Sequence, residues 1–418
     1  MESWRDCKLG DLLEVKHGFA FLGEHFGSTG THVVLTPGNF LEEGGFKERA
    51  DKAKWYNGPI PSDYVLNEGD LIVAMTEQAE GLLGSSAIIP RSSFYLHNQR
   101  LGLVQIRDRK LVDPYFIYYL FNTKPVRQQI RGSASGTKIR HTAPSRIADV
   151  KVSVPPLPIQ RRIAGILSAY DELIENSQRR IKILEAMARA LYREWFVHFR
   201  FPGHESVPRV PSPLGEIPQG WEVRAVANSF EISGGGTPSR KDERYWQDGT
   251  IQWFSPSDLT GAGTMFMDDS SDHITQMGLA ESSARLFPAR SVMLTSRATI
   301  GAIAINTREA CTNQGFITCL PNERVPLYSL FHWITENVPT FQRMASGATF
   351  KEISRGVFKT IDFLQAPSQL VKQFEASAAP LAEHALALQR QTQTLRRTRD
   401  LLLPRLLSGQ IDVEAMPA

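Results

Sequence analysis

The chain repeats itself once, and this limits its architecture more than any other feature, because one design must fold twice from diverged residues. Trp4 and Gly18 recur as Trp221 and Gly235, each pair 217 positions apart, and Asn98-Gln99 recurs as Asn313-Gln314 at 215. From Ser135-Gly136 the offset settles at 211, matching Ser346-Gly347, then Pro156 with Pro367, Leu184 with Leu395, Leu191 with Leu402 and Phe196 with Leu407. Each half reads as a mixed globular unit followed by one long helix. With 418 residues and 42% apolar content the chain exceeds one ordinary core, in agreement with two units.

Short apolar runs at 70–75, 86–89 and 301–305, bounded by Gly, Pro, Asn and Ser, predict strands. Helical patches follow at 114–120 and 327–336, so the expected class is α+β. The expected division is a first unit at 1–155, a central helix at 156–200, a second unit at 221–366, a distal helix at 367–410 and a tail at 411–418. Between them, residues 201–220 carry prolines at 202, 208, 211, 213 and 218, which predicts a semi-rigid linker resisting helix and sheet alike.

The central helix has an apolar seam stepping alternately by four and three through Ile163, Leu167, Tyr170, Ile174, Ser177, Ile181, Leu184, Ala188, Leu191 and Trp195. That is a heptad pattern. The distal helix repeats it through Phe374, Ala378, Leu381, Ala385, Leu388, Thr392, Leu395, Arg399, Leu402 and Leu406, with Thr392 and Arg399 interrupting and Pro380 a candidate kink. Forty residues give a rod of roughly 60 Å, too long for one small core, so its stripe needs a partner. The nearest partner is the other copy, and a pseudo-twofold relation would pack the two antiparallel. The alternative is that each helix lies on its own unit. Met187, Tyr192, Trp195, Phe196, Phe199 and Phe201 exceed what a two-helix seam needs; part of this surplus is expected to make linker and domain contacts and the rest a docking face for another protein.

Catalytic motifs are missing. Ser153-Val154-Pro155-Pro156-Leu157 lacks the leading Asn or Asp and closing aromatic of an amino-methyltransferase tetrapeptide. Gly234-Gly235-Gly236 has no phosphate-loop spacing, and Glu14-Val15-Lys16 and Asp149-Val150-Lys151 are only halves of a nuclease site. The ten histidines show no metal-ligand spacing, so no metal is expected. Cys7, Cys311 and Cys319 form no CxxC pair, no run of eighteen apolar residues appears, and residues 1–6 have neither the basic nor the apolar character of a leader, so none is expected. A cytoplasmic chain outside the membrane is expected.

The residues suit recognition instead. Residues 114–148 contain no acid but carry Lys124, Arg127, Arg131, Lys138, Arg140 and Arg146 among small residues, a composition that lets guanidinium groups and amides approach phosphates, the alternative being a solvated basic face. The repeat supplies Arg343, Lys351 and Arg355. Base edges are read by Asn, Gln, Arg, Lys, Ser or Thr on loops. The candidates, with one histidine, are His97, Asn98 and Arg100 in the first half and Thr237, Ser239, Arg240, Lys241, Arg297 and Asn313 in the second. The asparagines could equally be structural turn residues.

Three segments then carry a family resemblance. Pro155-Pro156-Leu157-Pro158-Ile159-Gln160-Arg161-Arg162-Ile163 and Leu184-Glu185-Ala186-Met187-Ala188-Arg189-Ala190-Leu191-Tyr192-Arg193-Glu194-Trp195-Phe196 resemble the central region of type I restriction-modification specificity subunits. Leu395-Arg396-Arg397-Thr398-Arg399-Asp400-Leu401-Leu402-Leu403-Pro404-Arg405-Leu406-Leu407-Ser408-Gly409 resembles their distal region. The resemblance implies two target recognition domains separated by an antiparallel coiled coil, each reading half of a bipartite double-stranded DNA sequence. It also implies two modification subunits docked on the helices and supplying S-adenosylmethionine, a cofactor this chain would not itself bind, and a restriction and motor subunit that can join. The competing expectations are a coiled-coil scaffold that reads no DNA and a self-contained DNA methyltransferase.

Overall fold

The computed structural model describes residues 4–77, 80–347 and 350–415. Contacts divide the chain into two units, residues 1–175 with 393–418 and residues 176–392, so each long helix begins in one unit and ends in the other.

In the first unit a four-stranded antiparallel sheet has the order Leu13–His17, Leu101–Ile106, Leu71–Ala74, Ser86–Ile88. Leu71–Ala74 is buried along its whole length, which explains an unbroken apolar run in place of alternation. Arg5–Lys8 pairs antiparallel with Lys151–Val154, closing the domain just before the first long helix. Helices Pro114–Phe121 and Lys124–Gly132 bury Phe116, Ile117, Val126 and Ile130.

The second unit repeats this design. Its main sheet has the order Glu231–Gly234, Phe316–Leu320, Val292–Thr295, Ile303–Asn306, with Phe266–Met267 added in parallel at the edge. Glu222–Ala225 pairs with Asp362–Gln365 as Arg5–Lys8 does with Lys151–Val154. One helix, Leu327–Met344, stands where the first unit has two.

Leu157–Tyr192 is a continuous helix that passes into a π-helical turn at Arg193–Val197, and Ser368–Leu406 is helical through Pro380 and Pro404. Every seam position named from the sequence is buried or half-buried. In the first unit, Ile163 and Leu167 from the start of the first long helix share a core with Leu406 and Leu407 from the end of the second. Tyr192, near the end of the first helix, shares the second unit's core with Phe374 and Ala378, near the start of the second. Asp171 meets Arg399 at 2.6 Å and Arg180 meets His384 at 3.2 Å, so numbers rise on one helix as they fall on the other, the antiparallel sense. The two packing alternatives therefore combine, because the helix ends also complete the globular cores.

Two expectations are corrected. The Pro-rich segment is not free of sheet: Arg209–Ser212 and Gly215–Pro218 form an antiparallel hairpin with Ile217 buried, since a two-stranded edge tolerates proline outside its ladder bonds. Nor do the aromatics ending the first helix all face outward, because most of them make the linker and domain contacts. Tyr192, Trp195 and Phe196 close around Phe374, Phe199 and Phe201 pack on Trp221, and of that group Met187 is the exposed one, at 51%. The tail also takes part in the fold, with Val413 in the first unit's core, while its residues 416–418 lie outside those described.

His332 sits in the second unit's aromatic core with both ring nitrogens unpartnered, and burial, then the Arg189 charge, pushes its pKa down to about 4. The unfolded chain takes up a proton near pH 6.5 and the folded chain does not, so stability falls as pH drops from 6.5 towards 4, by about 3 kcal/mol for this group. Melting temperature measured against pH should fall over that window, and His332→Phe should flatten the fall; an unchanged profile would refute this role.

Candidate nucleic-acid interface

In each unit three segments meet through the same backbone hydrogen bonds. In the first, Met75 N–H donates to Arg100 O at 3.0 Å and Thr142 N–H to Met75 O at 2.9 Å. In the second, Ser296 N–H donates to Gly315 O at 2.8 Å and Ile353 N–H to Ser296 O at 3.0 Å. The segments are the Asn-Gln turn, the end of a central strand and a glycine hairpin, whose base pairs Ser135 with His141 and Ser346 with Glu352.

The recurring residues owe their positions to this junction. A Cβ on Gly18 would lie 2.0 Å from Asn98 O, and one on Gly235 2.0 Å from Asn313 O, so only glycine admits either approach. Asn98 Oδ1 accepts the Arg100 N–H at 2.9 Å and Asn313 Oδ1 the Gly315 N–H at 2.8 Å, the same Asx turn twice. These asparagine side chains hold the turn, while Gln99, Arg100 and Gln314 are exposed beside them.

Several candidates move in role. His97 is fully buried, its Nε2 2.9 Å from Leu101 O, and desolvation pushes its pKa down to about 4; this side chain has no surface to offer a base. The Arg127 guanidinium is held by the carbonyls of Glu42, Leu83 and Gly81. Arg131 pairs with Glu80 and, at 3.7 Å, with Glu77. Both thus clamp the loop after Glu77, whose carboxylate accepts the amides of Gly81, Leu82 and Leu83. The acid-free stretch meets acids from elsewhere in the chain. Lys124, Lys138 and Arg140 are exposed, and Arg140 lies opposite Glu77 in the hairpin ladder.

In the second unit the candidates gather more closely. Thr237 donates to Gln314 Oε1 at 2.7 Å. The Arg240 guanidinium lies 3.6 Å from the Trp246 ring centroid with Nη2 2.5 Å from Asp272, a pose that fixes its plane. No spacing in the sequence connects Trp246 and Asp272 to Arg240. Ser239 and Lys241 flank it, exposed. Arg297 bridges to Glu352 next to exposed Lys351, and Arg355 covers Gly234, where a Cβ would come within 2.3 Å of its Nη1. Among the described residues no group of three or more His, Cys, Asp or Glu could hold a metal ion.

The family described as type I restriction modification DNA specificity domain matches residues 1–186 and 218–364. The chain belongs to that family. The specificity subunit of the MjaIX type I restriction enzyme from Methanocaldococcus jannaschii is 25% identical over 309 residues, 72% of this chain and 70% of that one. The HindI specificity subunit from Haemophilus influenzae is 22% identical over 365 residues, covering 73% and 79%. The crystal structure of a type I restriction-modification S subunit from M. genitalium aligns over 97% of this chain and 96% of its own at a TM-score of 0.62, with 16% identity, a likeness of fold. This specificity subunit is therefore the DNA-recognising, non-catalytic member of a type I restriction-modification system, built on mixed α/β domains and two long helices. The scaffold and methyltransferase alternatives have no support. No helix among the described residues is long and apolar enough to cross a membrane.

Proposed function

We propose that each three-segment junction reads one half of a bipartite duplex sequence and that the two long helices set the gap between the halves. The observation that carries this reading is the junction built twice from matched hydrogen bonds, with exposed cations in both copies: Arg100 and Arg140 in one, Arg297 and Lys351 in the other. Arginine forks match guanine edges and phosphates, and lysine matches phosphates. The exposed helix side chains Ile183 and Met187 offer apolar anchors to the modification subunits, which carry S-adenosylmethionine. A restriction and motor subunit completes the complex, which acts in the cytoplasm.

Arg100→Ala should relax recognition of one half-site only, and Arg297→Ala the other, at about 1–3 kcal/mol per lost base contact, whereas Arg140→Ala and Lys351→Ala, at the phosphates, should weaken binding without changing the sequence read. Binding of duplexes altered in one half-site at a time checks this. If Arg100→Ala or Arg297→Ala affected both half-sites equally, the division of labour would be wrong.

Residues 201–367 carry 14 basic and 17 acidic residues, a net −3 that suits a polyanion poorly. The purified chain alone should therefore bind DNA weakly and its assembled complex tightly. Nanomolar site-specific binding by the isolated chain at physiological salt would contradict this.

A further inference from the structure

Ile139 and Phe350 occupy the same place, 211 positions apart, and both are exposed, at 38% and 58%. A single exposed apolar side chain needs no explanation. Here the arrangement occurs twice with the same backbone. Gly136 and Gly347 both have positive φ, 97° and 130°, and a Cβ on them would lie 2.0 Å from Ile139 O and 2.2 Å from Phe350 O. Each apolar residue thus lies in the loop end of its hairpin with its carbonyl against the glycine, and the next residue is an exposed cation, Arg140 or Lys351.

Resting on the DNA-reading proposal, we infer that the two hairpin tips are paired apolar wedges, Ile139 and Phe350 each pressing on a base step or a sugar face of the duplex while Arg140 and Lys351 hold the adjoining phosphates. A contact to phosphate alone would need no apolar tip, whereas thymine methyls, base planes and deoxyribose faces all reward one. Duplex DNA is favoured over a protein partner because each tip is joined to the same junction as the reading cations and has a cation beside it. An apolar wedge displaces no counterions, so its contribution is insensitive to salt, unlike that of its neighbour.

The test uses the chain assembled with its modification subunits and the duplex carrying its own methylated site. Ile139→Ser and Phe350→Ser should each weaken binding tenfold or more, with the target sequence and the slope of affinity against salt unchanged, while Ile139→Leu and Phe350→Trp retain binding. Lys351→Ala should instead flatten the salt slope. Wild-type affinity in both serine variants would overturn the inference. So would serine variants that no longer assemble with the modification subunits, which would make the tips protein contacts. Failure of the wild-type complex to select any defined site would overturn the DNA-reading proposal itself.

Discussion

Inserting one heptad within 174–188 of the first long helix and one within 378–392 of the second should lengthen the gap between half-sites and leave both half-site sequences unchanged. Seven helical residues add about 10 Å, close to three base pairs at 3.4 Å each. A whole heptad keeps the seam in phase, so Ile174, Ile181 and Ala188 and their counterparts still face inward. Insertion of two residues in each helix would instead turn the stripe by about 200° and should disrupt binding. Comparing the methylated sequences of the parent and the insertion variant checks this. Altered half-sites with an unaltered gap would show that the helices do not set the spacing.

Phe374→Ala should be the most destabilising truncation on the long helices. Phe374 is fully buried, with its ring centroid 5.6 Å from Tyr192, 5.2 Å from Phe196 and 6.1 Å from Trp195, so it joins the start of the second helix to the end of the first. Removing a buried ring of this size costs about 3–5 kcal/mol through lost burial and the cavity left behind. Leu401→Ala, at a position 56% exposed, should stay within about 0.5 kcal/mol of the parent in the isolated chain. Denaturant unfolding of both variants decides it, and equal midpoints would contradict this account of how the helices are joined.

The features legible in the sequence were those governed by periodicity. The heptad seam places Leu167, Ile174 and Phe374 in buried positions because helix geometry alone decides which residues share a face. Duplication reveals Gly18 and Gly235 because the same close approach excludes every other residue at both. Features that depend on pairing through space were not legible. Arg399 interrupts the seam because it meets Asp171 at 2.6 Å, a carboxylate that also accepts the Tyr119 hydroxyl at 2.6 Å. An acid-free stretch suggested six unspent cations, yet Arg127 and Arg131 are used on a loop forty and more residues earlier. Local charge says little about what the fold brings alongside. The apolar residues Ile139 and Phe350 are not legible because one apolar residue between polar ones carries no period, and only their alignment across the repeat singles them out.

The most direct test of two readers on one chain is methylome sequencing of cells carrying this subunit with its modification partners, compared with cells lacking it. The account predicts one methylated word made of two short defined blocks separated by a fixed run of unspecified bases. A single uninterrupted word, or methylation that does not depend on this chain, would contradict it.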